Sequence, residues 1–495
     1  MSRTQHPIET RPFKVQAKRT KGPYPPVKRH EGDEEERKLR KVRKARKPIQ
    51  LKERAPATKL MDERKPSGDP GDDPVRFYKY TRPGKVGPKD AAKNAADLSG
   101  ADSEAGIVLL SGNWFCDYST DDGATFTSVD PTTVFAKWTG HKFCCDQIII
   151  YVPSIDRFIW LMQHAADSNG IGAFRLATAS PSDIKKKFET AWTYWDFTAA
   201  TFGLSEDMDY PDLAFTSQFL HVSTDATTTG GRLVARFALA DVAAAGSLPG
   251  RHNHPEKAKD AVGAHLVQDS SDGAFWAGEP DNSSLQIYSW PDSSTTITPF
   301  KVGVAAWPNG TLTSKGPNPN NNDWLSWLSG HVPQNEACGA TRKGNELWLA
   351  WTAANGSGTP GGFSFPNAHV RVAVVDVSTQ KLVSESQVWN KDYAFAFPSL
   401  AVNSQGEVAI ATGVGGTKNN AHTSLGILGD NVVWHVDEGD FTPQRWGDFV
   451  TVRNHQRNRN KFAGFGYYTT KGSTNTGQYY ANPFYVVFGR KSLGP

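Results

Sequence analysis

A short pattern recurs six times between Asp146 and the C-terminus: a brief apolar run, a tight polar turn, then a second apolar run rich in Phe, Trp or Val. The copies read DQIIIYVPSIDRFIWLMQ from Asp146, DLAFTSQFLHVST from Asp212 and AHLVQDSSDGAFWAGE from Ala264. They continue with CGATRKGNELWLAWT from Cys338, SLAVNSQGEVAIATG from Ser399 and DFVTVRNHQRNRNKFAGFGY from Asp448. The second runs begin at Phe158, Phe219, Phe275, Leu347, Val408 and Phe462, at spacings of 61, 56, 72, 61 and 54. Units this small cannot bury their own apolar faces, so they must stack or close into a ring. Because they are strand-like, radial closure into a β-propeller is the economical solution, leaving only short, protected sheet edges.

Most repeats run on into further strands with period-2 or continuously apolar character, such as AWTYWDFT from Ala191 and HVRVAVVDV from His369. Four short antiparallel strands per unit make a blade. The last repeat ends one strand short, after ANPFYVVFGR from Ala481. The segment from Ile107 (IVLLSGNWF) is available to pair with it and close the circle. The expectation is an all-β, monomeric, six-bladed propeller, or a seven-bladed one if the Ile107–Val129 hairpin forms its own blade.

Composition divides the chain in two. Residues 1–90 carry 26 Lys+Arg against 13 Asp+Glu, whereas the remainder carries 29 against 38 and all 15 Trp. The near-neutral total of +4 thus conceals a basic arm on a mildly acidic body. With few aromatics and many Pro, Lys, Arg and Glu, residues 1–105 read as a disordered basic arm and linker. A short helix over 34–47 fits EEERKLRKVRKARK, acidic residues first and basic ones last. Residues 106–495 read as the propeller. The run Arg37–Lys47 suits an anionic partner: nucleic acid, a membrane surface or an acidic protein. There is no apolar stretch of bilayer-spanning length and no apolar secretory leader, which points to a cytoplasmic chain or one exported by a non-Sec route. Four Cys make no disulfide framework. The adjacent Cys144 and Cys145 read as small residues packed at a crowded strand start rather than a metal or redox pair.

Ser119-Thr120-Asp121-Asp122-Gly123-Ala124-Thr125-Phe126 fits S-x-D-x-G-x-T-[FW], which resembles the Asp-box of sialidase-like propellers. Its physical content is a turn: Asp121 accepts turn N–H bonds, Gly123 supplies a positive φ, and Phe126 packs between sheets, with Ser119 and Thr125 completing the motif. Together with GHKFCCDQIIIYV from Gly140, DYPDLAF and RWGDFVTVR, the region from Gly106 to Arg490 looks like bacterial sialidase-like propeller proteins of largely undefined activity. The resemblance implies a fold rather than a reaction. A sialidase of this kind clamps a substrate carboxylate with three Arg and uses a Tyr nucleophile with a Glu partner and an Asp acid/base. The candidates here are Arg175, Arg342, Arg445 and Arg453 for the clamp, Tyr467 for the nucleophile and Asp146 for the acid. Phe174-Arg175-Leu176-Ala177 departs from the family's signature by lacking its Pro, and falls on a third strand.

The starts of inner strands carry more weight, because in a propeller they ring one mouth of the axial channel. Cys145, Asp146, Gln147, Asp209, Asp212, His265, Cys338, Arg445 and Asp448 arrive there. Asp146, Asp212, His265, Arg445, Trp446 and Asp448 are therefore the expected ligand-binding set, and Arg445-Trp446-Gly447-Asp448 the most site-like cluster. Asp146, Asp212 and Asp448 leave room for a structural divalent cation such as calcium; no other cofactor is expected. His252 and His254 read as an exposed loop. Aromatics around Trp324–Trp327 and Tyr467–Tyr480 are candidate stacking surfaces for sugar rings or a protein. The best-supported expectation is a binding or scaffolding propeller, glycan-recognising, with the arm as tether. A sialidase-type glycoside hydrolase is the alternative.

Overall fold

The computed structural model describes residues 7–21, 49–50, 73–90, 95–227, 231–254, 263–308, 310, 312–317, 322–326, 339–357, 364–430, 432–472 and 478–494. Five of the six sequence repeats become the inner pair of strands of a sheet; in the third, the run from Ala264 makes only an isolated bridge of Leu266 with Trp276, and Gly273–Asp281 is the innermost strand. Phe143–Val152 pairs with Arg157–His164, Met208–Phe215 with Phe219–Ala226, and Ala394–Val402 with Val408–Gly416. A further such pair, Ser99–Asp102 with Val108–Gly112, precedes them.

Five sheets are discrete blades of four or five strands, spanning residues 99–129, 143–198, 208–253, 273–303 and 339–388. Gly356–Ser357 and Ser364–Phe365 make a separate two-stranded ribbon, and the remaining strands form one composite sheet of ten. Its two main halves, 394–435 and 451–490, are joined through a single pairing of His422 with Tyr468. The expected count of six or seven separate blades is thereby replaced by five blades and a fused sheet.

Packing between consecutive sheets closes the ring. Leu109 and Cys116 of the first sheet meet Trp160 and Tyr194 of the second. Ile148 and Trp195 meet Leu213 and Phe237 of the third, and Val234 meets Trp276 and Trp290 of the fourth. Phe275 and Ile287 meet Leu349 and Trp351, and Val372 and Val388 meet Leu400 and Ile410. Finally Leu425, Phe465 and Tyr485 of the composite sheet share a core with Leu110 and Phe115 of the first. The inner strands are buried on both faces, as Gln147–Val152 shows, because each is sandwiched between neighbours. That is why they read as continuous apolar runs.

Two expectations fail at the arm. The composite sheet takes its outer strand from Val75–Thr81, which pairs with Gln478–Arg490. The segment from Ile107 does not close the circle by pairing; it lies within its own sheet. Nor is the described arm a disordered tail. Ile8–Glu9 adds to the outer edge of the fourth sheet, Arg11–Val15 to the third and Lys18–Arg19 to the second. Ile49–Gln50 adds to the composite sheet beside Val432–His435. Phe13 anchors this belt among the rings of Phe197, Phe202, Phe237 and His252, with centroids 5.2–6.3 Å away. His252 is accordingly buried in a strand, not exposed in a loop. The helix expected over 34–47 lies outside the described residues, as do Cys338 and Trp327. Among the described residues no helix is long and apolar enough to cross a membrane.

Candidate functional site

Bulges in the inner strands aim the side chains at the channel mouth. The register of Phe143–Val152 slips between Phe143 and Gln147, and that of Met208–Phe215 between Asp209 and Asp212. Extra residues at such slips bend the strand and redirect its side chains. Asp146 sits in the first slip and Asp209 at the edge of the second. Tyr210 takes a left-handed φ of 55° there, and its carbonyl accepts a 2.7 Å hydrogen bond from the Arg232 guanidinium. Asp97, also left-handed at φ 42°, enters from just before Ser99. Non-glycine residues held in this region mark places where the surroundings enforce a conformation.

The result is four carboxyl groups from three blades and the composite sheet, Asp97, Asp146, Asp209 and Asp448, acting on one another beside one guanidinium, Arg445. Arg445 Nη2 donates to Asp448 Oδ2 at 3.1 Å. The backbone N–H of Asp448 donates to Asp97 Oδ1, and Asn113 Nδ2 donates to Asp97 Oδ2 at 2.8 Å. Gln163 Nε2 donates to Asp209 Oδ1 at 2.9 Å. Asp448 is 3% exposed, and its Oδ1 is buried with no hydrogen-bond partner. Beneath, Trp446 stacks on Tyr467 at 4.5 Å, and the Tyr467 hydroxyl donates to the Trp446 carbonyl. A Cβ on Gly447 would run into that hydroxyl and the Asp97 carboxylate, so only glycine fits between them.

Burial, then the charges of Asp209, Asp97 and Asp448, push the Asp146 carboxyl well above its ordinary range. Burial, then Asp97, does the same to Asp448 against the pull of Arg445. Burial also raises Asp97, with Arg445 and hydrogen bonds opposing. Asp97, Asp146 and Asp448 thus hold protons more tightly than water-exposed Asp.

Deeper in the channel a second polar group forms. Asp212 Oδ2 accepts from the Leu266 N–H at 2.7 Å and lies 3.5 Å from His265 Nδ1. Burial opposes its ionisation, but His265 and Arg453 outweigh burial and hold it below the ordinary range. Arg453 lines two small cavities, of about 30 and 40 Å³, one on the side of Asp212 and the other on that of Asp269.

The structure therefore separates the expected set. Asp146, Arg445 and Asp448 meet at the mouth, while Asp212 and His265 lie below them and Trp446 is a buried support. Asp97 and Asp209 join the mouth; Asp97 was missed because the strand behind it, Ser99–Asp102, carries no apolar run. The sialidase constellation is not assembled among the described residues. Arg175 is held by Asp196 at 2.6 Å on a third strand, Arg342 pairs with Asp272, and Tyr467 is fully buried. Trp324, Tyr467, Tyr468 and Tyr479 are core residues, not stacking surfaces. Cys144 and Cys145 form a disulfide within the first bulge. No three His, Cys, Asp or Glu among the described residues converge to hold a metal ion.

The Ser119–Phe126 motif makes the turn between the outer two strands of the first sheet. Ser119 Oγ and the Thr125 N–H donate to Asp121 Oδ1 at 2.7 and 2.9 Å, and Gly123 has φ +73°.

No family model matches the chain, and no curated protein does. Among solved structures, the GH93 α-L-arabinofuranosidase of Fusarium graminearum in complex with arabinobiose is 10% identical, with 82% of this chain and 97% of that one covered and a TM-score of 0.39. An α-L-arabinanase of Penicillium chrysogenum complexed with arabinobiose is 8% identical, with 82% and 98% covered and a TM-score of 0.38. A Dos1 propeller is 9% identical, with 84% and 95% covered and a TM-score of 0.37. At this level the likeness concerns the fold alone.

Proposed function

We propose that the chain is a carbohydrate-binding propeller whose ligand docks at the channel mouth. The observation that carries this reading is the convergence of Asp97, Asp146, Asp209 and Asp448, delivered by strands far apart in sequence, around a buried and unpartnered Asp448 Oδ1. Buried polar groups without partners are costly, and a site that leaves one open is poised for a donor from outside. Sugar hydroxyls are such donors, and carboxylates accept them through several lone pairs. A titration of the full chain with an oligosaccharide panel tests it. Binding that weakens about 10-fold or more in Asp146→Asn and Asp448→Asn supports the reading, since leaving a buried polar group unsatisfied costs about 1–3 kcal/mol. Binding unchanged in both variants excludes the mouth.

One observation favours a second reading, hydrolysis. Asp146 and Asp448 hold their protons while Asp212 is held ionised, and carboxyls set apart in this way serve as acid and base in glycoside cleavage. That chemistry would use Asp146 as acid and would not need the Tyr and three Arg of a sialidase. The basic run Arg37–Lys47, outside the described residues, is proposed as the contact for an anionic partner. Such binding weakens steeply with salt.

A further inference from the structure

We propose that the ligand at the mouth carries positive charge, as an amino sugar with free amines does. The inference rests on the carbohydrate reading above and narrows it to a substrate class. Four carboxyl groups face a single guanidinium at the mouth, and Arg445 Nη2 already donates to Asp448, so acceptors outnumber cations there. The demand is for donors. Asp448 Oδ1 is buried and unpartnered, and the leading influences on Asp146 are burial and neighbouring carboxylates, with no hydrogen bond among them. An ammonium offers three donors and a full charge, which suits oxygens that a neutral hydroxyl satisfies only singly.

Two other cations fit less well. No three-ligand group among the described residues suits a metal ion. A lysine side chain would bring one ammonium to acceptors spread over several sheets and leave the rest unmet. A sugar ring presents an amine together with hydroxyls across that span.

The same geometry couples binding to protons. Asp97, Asp146, Asp209, Asp448, Arg445, Tyr467 and Tyr479 are titratable groups whose charges act on one another here, with Tyr210 acting on Arg445 and Asp209 acting on Asp207 and Asp225. The raised carboxyls must give up protons to pair with an ammonium, so binding releases protons and strengthens as pH rises, until the amine itself deprotonates.

The test is calorimetric titration of the full chain with glucosamine tetrasaccharide, its N-acetylated counterpart and a galacturonic acid tetrasaccharide. Each titration is run in two buffers of different ionisation enthalpy. The free-amine ligand is expected to bind about 10–100-fold more tightly than the N-acetylated one, the range of one or two charge-assisted contacts, and to release protons. The acidic ligand is expected not to bind. Asp146→Asn and Asp448→Asn should abolish the preference while melting no lower than the wild type. Asp121→Ala, at the remote turn, should keep it. Equal affinity for the amine and the N-acetyl ligands overturns this inference and leaves the carbohydrate reading standing. Binding of none of the three overturns both. Tighter binding of the acidic ligand overturns the charge argument outright.

Discussion

At the scale of single residues, the mouth is a place where stability is given up. Asp146 and Asp448 have raised folded values, so their contribution to stability is full below the unfolded value of about 3.9 and is lost as pH rises through the raised value. Asp212 has a lowered value and works in the opposite sense, its contribution lost only as pH falls below about 3.9. The wild-type melting temperature should therefore fall as pH rises above about 3.9, and Asp146→Asn should flatten that fall. Identical slopes in both proteins would show that Asp146 is not held protonated. Gly447→Ala should cost about 1–3 kcal/mol, because the new methyl has nowhere to go; a melting curve equal to wild type would refute the crowding. Asp146, Arg445 and Asp448 were legible in the sequence because they stand at the starts of apolar inner strands. Asp212 stands three residues beyond Asp209, across the second slip in register, and that slip sends it down the channel instead. No spacing in the sequence announces a bulge.

At the scale of elements, five of the six repeats were legible as inner hairpins because both of their faces are buried, which writes a continuous apolar run, while the run from Ala264 makes only an isolated bridge. The arm was not, because RPFKV contributes one anchor, Phe13, while the apolar walls that receive it belong to other sheets. Phe13→Ala should free Ile8–Arg19 from the outer edges, seen as a loss of amide-exchange protection there and in Leu248–Asn253, at a cost of about 2–3 kcal/mol for a half-buried ring. Unchanged protection in both segments would mean that strand pairing alone holds the belt. The Ser119–Phe126 turn is a second separable element. Burial opposes the ionisation of Asp121, but Thr125 and Ser119 outweigh it and hold the carboxyl at about 2. Asp121→Ala should cost about 1 kcal/mol, as for a lost side-chain cap, and leave ligand affinity alone. A large loss of affinity would place this turn in the site.

At the scale of the whole molecule, the ring is what turns distant segments into neighbours. Its closure rests on the first sheet packing against the composite one and on Val75–Thr81 supplying the outer strand, so the chain's beginning and end are both structural. Repeat spacing conveyed the circular plan, but not the fusion of two sheets through His422 and Tyr468, which depends on a single backbone contact. The central claim is that residues near 97, 146, 209 and 448 form one ligand site. Hydrogen exchange of the full chain with and without saturating glucosamine tetrasaccharide tests it most directly. The account predicts simultaneous protection of residues 95–98, 145–148, 208–212 and 446–450, with little change elsewhere. Protection confined to one sheet, or found along the outer edges and not at the mouth, would contradict it.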